Sequence, residues 1–449
     1  MRRKLSNRCA GLPKRGGALS KRSIMKVVHI VPGSGGTFYC QNCMRDQALV
    51  MTLRRQGVDV VMVPMYLPMF TDGDPATDDT PVFFGGINVW LQQQMALFRK
   101  TPRWLDRIFD SKWMLRRAAT MEGTTSAGDL GPMTLSMLEG TEGNQRKEVE
   151  RLVEWLAEHE HPDLVHISNA LLIGLAPAIK AALNVPIVCT LQDEDWWLDE
   201  IKPPYDEACW KAIRDRCGSI DRFVAVSRWF ADRMSERLRL PRECIDVIHL
   251  GIDLNGYRPS PLSLDPPVLG YLSRMNTTLG LDRLVDAFMA LKQVEGLERL
   301  RLKATGGAVG EDLKCIEQQK ERLKRVGLLD DVEFIVDFDR EHRLEFLSTL
   351  TVMCVPVEQG EAFGSFIIES LAAGVPVVQP HAGAFPELVA ATGGGVIYDD
   401  LVGSLKELLL DPDRLRELGA AGRKAVHERF GIETMASNMM KLYSREVEA

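Results

Sequence analysis

Two carboxylates, Glu361 and Glu369, flank the start of a predicted helix in the segment EQGEAFGSFIIESLAAGVPVVQP. Glu361 comes just before the helix, and Glu369 interrupts a helix that is otherwise apolar. Gly364 lets a ligand approach the backbone, and the first N–H groups of a helix form a seat for phosphate. A carboxylate beside such a seat can accept hydrogen bonds from sugar hydroxyls. The pattern therefore indicates a nucleotide sugar, although Glu361 by itself is typical of an ordinary surface acid.

The elements around these residues alternate between short apolar strands and helices. The predicted strands of the first half are KVVHIV, VDVVMVP, LVHIS, VPIVCTL, DRFVAVS and IDVIHL. Those of the second half are VLGYLSR, LRLKATGG, VEFIVDF, TVMCVPV and VPVVQP. Near-continuous apolar runs with helices between them are typical of buried parallel strands. The sequence predicts an α/β protein of two doubly wound, Rossmann-like domains that face a ligand cleft.

Changes in composition and a Pro-rich stretch divide the 449 residues into segments. Residues 1–24 carry eight Lys and Arg, no acid and no apolar core of a secretory signal, so we expect a disordered tail or an over-extended reading frame. Residues 25–258 form the predicted acceptor-side domain, with an insertion at about 70–148. The later segments are a linker at 259–267, a nucleotide-sugar-binding domain at 268–425, and a helical segment at 426–449 that returns to the first domain.

The overall balance of the chain excludes several classes of protein. The formal net charge is −7, and the body is more acidic still once the basic tail is set apart, which argues against nucleic-acid binding. No apolar run approaches the roughly 20 residues that a membrane span requires. Nine cysteines, an odd number scattered among apolar neighbours, predict reduced thiols in a cytoplasmic protein.

The spacing from Glu361 to Glu369, EAFGSFIIE, resembles the E-x7-E motif of the retaining family 4 glycosyltransferases of GT-B architecture. The likeness extends over nearly all of the chain after Met25. IDRFVAVSRWFADRM with IDVIHLGIDLNGYRP resembles the end of the family's first domain, and LGYLSRMNTTLGLDRLVDAF resembles its donor-side Arg loop. The resemblance implies transfer of a hexose from a nucleotide diphosphate sugar to a glycan, lipid or small molecule, with retention, no cofactor and no divalent metal.

The resemblance also implies roles for individual residues. Glu361 would bind the hexose hydroxyls of the donor, Glu369 would bind its ribose, and Arg274 would counter the diphosphate charge as the leaving group departs. Arg274 and Glu361 are thus the implied catalytic residues. The other implied donor-binding residues are Gly35, Gly36, Gln192, Phe363, Gly364 and Ser365.

Two departures from the family pattern leave an alternative open. Leu279 stands where the family usually has a Lys, and Gln192 stands where it commonly has a His. A charged hydrogen bond is worth roughly 1.5–3 kcal/mol, so donor affinity or rate would suffer. The alternative is a non-catalytic nucleotide-sugar-binding or sensor protein of the same fold. His166 resembles a family His, and a buried core histidine is an equal reading.

Three further features have competing interpretations. The acidic triplets DED (193–195) and DFD (337–339) are interpreted as surface or turn residues rather than a metal site. Cys40 and Cys43 have the C-x2-C spacing of cysteines packed beside the glycine loop, of a thiol-redox protein, or of a metal site that would need Cys209, Cys217 or a His as partner.

The third of these features is the basic, aromatic stretch of the insertion. Residues 99–119 interleave Lys and Arg with Trp104 and Trp113. This pattern predicts a helix that packs its aromatics on the domain, with weak peripheral contact to the inner face of the membrane as the alternative.

Overall fold

A computed structural model describes residues 24–32, 41–65 and 130–449 of the chain, with side chains from Met44 onward in the second range. The described residues form two compact units. Unit 1 takes the described parts of Met1–Gly35 and Asn42–Ile248 together with Met435–Ala449. Unit 2 takes His249–Thr434.

Unit 1 is built on a six-stranded sheet whose neighbouring strands are all parallel. Its strands are β1 (Lys26–Val31), β2 (Asp59–Pro64), β3 (Leu164–Ile167), β4 (Ile187–Leu191), β5 (Arg222–Ala225) and β6 (Ile245–Val247). Their order is β2-β1-β3-β4-β5-β6. The accompanying helices are α1 (Gln41–Arg55), α2 (Gly131–Leu138), α3 (Arg146–Trp155), α4 (Ala176–Leu183), α5 (Glu194–Asp199), α6 (Tyr205–Arg216) and α7 (Arg228–Leu238).

Unit 2 has a second parallel six-stranded sheet with the order β12-β11-β10-β7-β8-β9. Its strands are β7 (Val268–Leu272), β8 (Arg301–Thr305), β9 (Val332–Phe334), β10 (Val352–Met353), β11 (Val377–Pro380) and β12 (Gly395–Tyr398). Its helices are α8 (Leu281–Leu291), α9 (Glu311–Arg325), α10 (Arg340–Ser348), α11 (Ser365–Ala372), α12 (Phe385–Thr392), α13 (Leu401–Leu409) and α14 (Pro412–Arg429).

The last helix, α15 (Ile432–Glu448), packs most of its length in unit 1. Tyr443 is fully buried there, and its hydroxyl lies 2.6 Å from Nδ1 of His166 in β3. Near the end of the helix, Oε1 of Glu446 accepts a hydrogen bond from Nε of Arg222 in β5 at 3.3 Å. A buried polar contact and an ion pair therefore fix the end of the chain on this sheet.

The predicted fold class, an α/β protein with two doubly wound parallel sheets, is confirmed. Each predicted strand segment contains a strand, because apolar β-branched runs covered on both faces have little alternative to a buried parallel sheet. The final strand, β12, was missed because its sequence GVIY is short and glycine-flanked. Gly374 ends α11 with a φ of +69°, as predicted from its position.

The Pro-rich segment, the insertion and the expected lack of a membrane span can each be compared with the described residues. The Pro-rich segment packs within unit 2, where the hydroxyl of Ser260 donates to the carbonyl of Leu350 at 2.6 Å. Most of the insertion lies outside the described residues, and the part from residue 130 onward begins with α2. No described helix combines the length and apolarity needed to cross a bilayer.

The described cysteines mostly match the expectation of reduced thiols. The buried free thiols are Cys189, Cys209, Cys217, Cys315 and Cys354. Burial raises the pKa of Cys209 and of Cys217 to about 12, so neither is a ready nucleophile. Cys244 is instead disulfide-bonded, so the expectation of nine reduced thiols is wrong at this position.

Candidate functional site

The candidate site lies at the carboxyl edge of the unit 2 sheet, at the point where the strand order reverses. β7 and β10 are neighbours there, and the loops that follow them are residues 273–280 and 354–364. Gly280 has a φ of +82°, and a Cβ at this position would lie 2.3 Å from the carbonyl oxygen of Pro356. The two loops are therefore in backbone contact at a topological switch point, the place where open α/β sheets bind their ligands.

A buried tyrosine fixes the loop after β7. The hydroxyl of Tyr271 donates to the carbonyl oxygen of Arg274 at 3.0 Å and to that of Leu279 at 3.2 Å. Burial, followed by the negative charge of Glu361, holds the pKa of Tyr271 well above its ordinary value. The phenol therefore remains a donor, and it holds both ends of the segment that presents Arg274.

The side chain of Arg274 is held by an aspartate from the neighbouring helix. Nε of Arg274 donates to Oδ2 of Asp312 at 2.6 Å, and the same oxygen accepts the N–H of Val309 at 2.9 Å. Asp312 is buried, whereas a third of the Arg274 side chain is exposed. The guanidinium is thus preorganised at the edge of the sheet and still accessible to a ligand.

Glu361 lies between two tight glycine turns and is buried rather than being a surface acid. The N–H of Ala384 donates to the carbonyl oxygen of Glu361 at 3.0 Å. Gly360 and Gly383 both have positive φ, and a Cβ on Gly383 would come within 2.5 Å of the amide nitrogen of Glu361. The loops after β10 and β11 therefore hold the backbone of Glu361 in place.

Helix α11 begins immediately after this turn. Gly364 precedes it with a φ of +91°, and a Cβ there would lie 2.8 Å from the Phe385 ring. The helix start carries no acidic residue in its first turn, and the flanking Phe363 and Ser365 are buried. The positive end of the helix dipole is therefore not countered by an acid of its own first turn.

Glu369 lies on the second turn of α11 with 2% of its surface exposed. Oε2 of Glu369 is 3.3 Å from Nε of Arg343 on α10, and both side chains are almost fully buried. This ion pair explains how an otherwise apolar helix can hold a carboxylate in the interior of unit 2.

A histidine at the start of unit 2 supports the same loop. Nε2 of His249 lies 2.8 Å from Oε1 of Glu387 on α12. The His249 ring lies 6.0 Å from that of Phe363 and stacks on Phe430 at 5.5 Å. His249 and Glu387 therefore support the segment that leads into α11.

In unit 1, His166 is a core histidine. Its Nδ1 is 2.6 Å from the Tyr443 hydroxyl, and its Nε2 is 2.7 Å from Oγ1 of Thr190. Burial lowers the pKa of His166 far below its ordinary value, so the ring is neutral. The ring of His29 packs edge-on against it at 4.4 Å, and His29 in turn contacts Asp46 on α1. Of the two readings left open by the sequence, the structure favours the structural one.

Gln192 lies in unit 1, at the carboxyl end of β4. Its Nε2 donates to the carbonyl oxygen of Ser168 at 2.8 Å, which fixes the orientation of the amide. Oε1 of Gln192 and Oγ of Ser168 are both buried and have no hydrogen-bond partner within the described ranges. Buried polar atoms are almost always paired in folded proteins. These two oxygens are therefore exceptions to that rule among the described residues.

The acidic triplet after Gln192 corrects one expectation. Glu194 and Asp195 are buried, not surface residues. Glu194 accepts the N–H of Ala170 at 2.8 Å and that of Gln192 at 2.7 Å, so it joins the loops after β3 and β4. Burial raises the pKa of Glu194 to about 8. Asp195 is paired with Arg233 on α7.

The other triplet lies at the surface, as predicted. Asp337 and Asp339 are exposed, and Asp339 caps α10 by accepting the N–H of His342 at 3.1 Å. Across the described ranges, no group of three or more His, Cys, Asp and Glu is placed to hold a metal ion.

Several predicted residues lie outside the described part of the chain. These are Gly35, Gly36, Cys40, the Cys43 side chain and residues 99–119. The unit 2 residues lie on consecutive elements of one edge: Arg274 follows β7, and the segment after β10 carries Glu361, Phe363 and Gly364 and continues into α11 with Ser365 and Glu369.

Sequence reasoning missed the residues that support this edge. Tyr271, Asp312 and Arg343 approach it from three different elements, and none carries a local motif. Asp312 follows the glycine-rich stretch GGAVG at a helix start, but this context does not identify Arg274 as its partner.

Two family models match the chain. The model described as "Glycosyltransferase Family 4" matches residues 132–255, and the model described as "Glycosyl transferases group 1" matches residues 257–425. The two matches follow one another along the chain, and together they cover more than half of it.

Curated relatives are similar over part of their length. The D-inositol 3-phosphate glycosyltransferase of Thermobispora bispora is 28% identical over 244 residues, which are 51% of this chain and 56% of the relative. The MMP alpha-(1->4)-mannosyltransferase of Mycolicibacterium hassiacum is 25% identical over 306 residues, 64% of this chain and 71% of the relative. The chain thus spans about half the length of the first of these relatives.

Solved structures show the same fold at low sequence identity. Sucrose-phosphate synthase from Thermosynechococcus elongatus superposes with a TM-score of 0.67 at 20% identity, over 94% of this chain and 98% of that one. Anabaena HepE in complex with UDP and glucose superposes with a TM-score of 0.63 at 16% identity, over 94% of this chain and 100% of that one. With its two parallel sheets and these two consecutive matches, the chain belongs to the family 4 glycosyltransferases of GT-B fold.

Proposed function

We propose that this protein is a retaining hexosyltransferase that moves a hexose from a nucleoside diphosphate sugar to a hydroxyl-bearing acceptor without a divalent metal. One observation carries the proposal: Arg274 and Glu361 lie on the two loops that meet at the switch point of the unit 2 sheet, and Glu369 lies on α11, the helix that follows the second loop. Family membership and the glycosyltransferase names of the curated relatives support the same reaction class.

The charges of this edge suit a diphosphate. The start of α11 offers backbone N–H groups and the positive end of the helix dipole. Arg274 offers a guanidinium already oriented by Asp312. Negative charge grows on the leaving diphosphate as the glycosidic bond breaks, so both groups bind the transition state more strongly than the ground state.

The two glutamates suit the sugar parts of the donor. Glu361, in the turn before α11, would accept hydrogen bonds from the hexose hydroxyls. Glu369, one turn into the helix, would accept them from the vicinal hydroxyls of the ribose. HepE, which shares the fold, is described in complex with UDP and glucose, and we extend that ligand class to this chain.

Retention requires that the new bond form on the same face of the hexose from which the leaving group departs. In the proposed step, the bond between the anomeric carbon and the phosphate oxygen breaks, and a bond to the acceptor oxygen forms. The proton of the acceptor hydroxyl passes to the departing phosphate oxygen, which leaves the nucleoside diphosphate as product. Arg274 stabilises the charge on that phosphate, and no metal takes part in the proposed step.

Gln192 and Ser168 suit a neutral, hydroxyl-bearing group. Their unpaired buried oxygens can accept from ligand hydroxyls, and the Ser168 hydroxyl can also donate. We assign this place to the transferred hexose or to a carbohydrate or lipid acceptor. A cytoplasmic location, with weak contact to anionic lipid through residues 99–119, completes the proposal.

The second candidate function is a nucleotide-sugar sensor. The observation that favours it is Leu279, which puts an apolar side chain where the family usually has a lysine. The loop around Leu279 is held by its own backbone contacts to Tyr271 and to Asn276. A thiol-redox role of Cys40 and Cys43 stays a prediction, because these side chains lie outside the described residues.

A donor screen followed by product analysis tests the proposed function. UDP-, GDP- and ADP-hexoses are compared by thermal shift in EDTA, and the preferred donor is then incubated with neutral sugars, inositol phosphate and lipid acceptors. We expect one donor to raise the melting temperature and the product to keep the donor's anomeric configuration by NMR. Donor binding with no transfer to any acceptor favours the sensor. Transfer that needs added magnesium or manganese contradicts the metal-independent step.

The two glutamates should separate donor recognition into two parts. We expect Glu369→Ala to weaken binding of the free nucleoside diphosphate by about 10- to 100-fold, the value of a charged hydrogen bond. Glu361→Ala should keep the affinity for the free nucleoside diphosphate within about twofold of the parent's and should instead weaken binding of the complete sugar donor. Calorimetry with both ligands measures the difference.

A glutamate in the same loop provides the control for this pair. Glu358 is exposed and pairs with Arg283 at the surface, so Glu358→Ala should bind both ligands like the parent. If Glu361→Ala and Glu369→Ala also bind both ligands like the parent, the assignment of hexose and ribose to these residues is wrong.

A further inference from the structure

Arg343 is a buried cation for which the proposed reaction has no use of its own. It lies on α10, and 6% of its surface is exposed. Its Nε donates to Oε2 of Glu369 at 3.3 Å, and its Nη1 donates to the carbonyl oxygen of Phe338 at 2.7 Å. One guanidinium therefore joins the segment after β9 to the carboxylate on α11.

The segment on the other side of Arg343 is itself anchored. Oγ1 of Thr305, at the end of β8, donates to the carbonyl oxygen of Asp337 at 3.1 Å. The N–H of Ile335 donates to the carbonyl of Ala304 at 2.8 Å. Asp339 caps the helix that carries Arg343. The guanidinium is thus held by fixed backbone, and it can hold the plane of the Glu369 carboxylate in turn.

The charge of Arg343 matters as much as its position. A charged carboxylate that is buried without a partner is costly. Other basic groups reach α11 elsewhere: Arg423 and His427 of α14 contact the carbonyl of Ala372, at the opposite end of the helix from its start. At Glu369 itself, the guanidinium of Arg343 lies 3.3 Å from Oε2, so this buried carboxylate has a cationic partner.

We infer that Arg343 is a positioning residue for the nucleoside part of the donor: it holds the Glu369 carboxylate oriented to accept hydrogen bonds from the ribose hydroxyls. This inference rests on the proposed function. It adds a residue that supports the ribose-binding carboxylate. The preference for ribose over a deoxygenated sugar is then assigned to Glu369 on α11 together with Arg343 on α10.

A cycle of two variants and two ligands tests the inference. The ligands are the nucleoside diphosphate of the preferred donor and its 2′,3′-dideoxy form, which lacks the hydroxyls that Glu369 would bind. We expect Arg343→Met to lower the affinity for the ribose ligand by about 10- to 100-fold, as for a lost charged hydrogen bond. The affinity for the dideoxy ligand should fall by less than about twofold. Arg343→Lys keeps the positive charge but lacks the planar guanidinium, so it should restore part of the difference in affinity between the two ligands.

Arg340 supplies the matched control. It lies on the same helix, half-buried, and its guanidinium contacts the carbonyls of Asp253 and Asn255 and the Asp253 carboxylate, none of which lies on α11. Arg340→Met should weaken neither ligand by more than about twofold. Where Arg343→Met fails to fold, judged by circular dichroism, the Arg343→Lys variant provides the comparison.

The outcomes separate this inference from the function on which it rests. If the parent protein binds ribose and dideoxy ligands equally, Glu369 does not bind ribose and the inference about Arg343 is wrong, while the donor screen and product analysis still decide whether hexose is transferred. If the parent discriminates and the Arg343 variants discriminate to the same extent, the proposed function stands and the role of Arg343 is wrong. Equal weakening of both ligands by Arg343→Met would show a general structural effect, which also contradicts the inference.

Discussion

Replacing Arg274 by methionine is expected to lower the turnover of hexose transfer by about 100- to 1000-fold, the effect of removing one preorganised donor from a developing negative charge. The guanidinium is exposed by a third and is fixed by Asp312, so it needs no reorganisation as the diphosphate departs. Initial rates at saturating donor measure the loss. Arg274→Lys should recover part of it, because the charge returns without the planar fork.

A surface arginine of the same unit is the control for Arg274. Arg299 also pairs with an aspartate, Asp265, but both side chains are largely exposed, and Arg299 precedes β8 at the opposite edge of the sheet. Arg299→Met should keep the parent's turnover within about twofold, since exposed ion pairs contribute little. If Arg274→Met retains more than about a third of the turnover, another cation neutralises the leaving group and the proposed role is wrong.

The parts of this molecule that follow local rules could be predicted from its sequence. The strands are apolar runs that only a buried parallel sheet accommodates. The start of α11 follows from Gly364, and its end follows from Gly374. The spacing of Glu361 and Glu369 then places one carboxylate before α11 and the other on its second turn. The nucleotide-sugar ligand that this spacing indicates stays a prediction.

The parts that depend on distant contacts could not be predicted. Arg343 is one of many arginines in the sequence, and only the packing of α10 beside α11 brings it to Glu369. Asp312 reaches Arg274 from α9, which begins 39 residues after β7 ends at Leu272. The burial of Glu194 is similar, because its partners are backbone N–H groups of two separate loops. Local sequence contains no signal for such pairings.

The switch point itself should be the most sensitive place in unit 2. Gly280→Ala is expected to weaken donor binding by about 100-fold and to destabilise the protein. The new Cβ would lie 2.3 Å from the carbonyl oxygen of Pro356, so the loops after β7 and β10 must move apart by about 1 Å. A misplacement of that size can cost about 100-fold in an enzyme site. The loop after β7 presents Arg274, and the loop after β10 presents Glu361, so their separation disrupts both halves of the proposed donor seat.

Gly327→Ala separates this steric effect from the backbone strain of a left-handed residue. Gly327 has a φ of +73°, close to the +82° of Gly280, but a Cβ there would meet nothing within 4 Å. Both variants should lose about 1–2 kcal/mol in the free energy of unfolding from the unfavourable φ. Only Gly280→Ala should lose donor affinity, as measured by calorimetry beside urea unfolding. If the two variants bind the donor equally well, the contact between these loops does not shape the donor site, and the ligand must bind elsewhere on the chain.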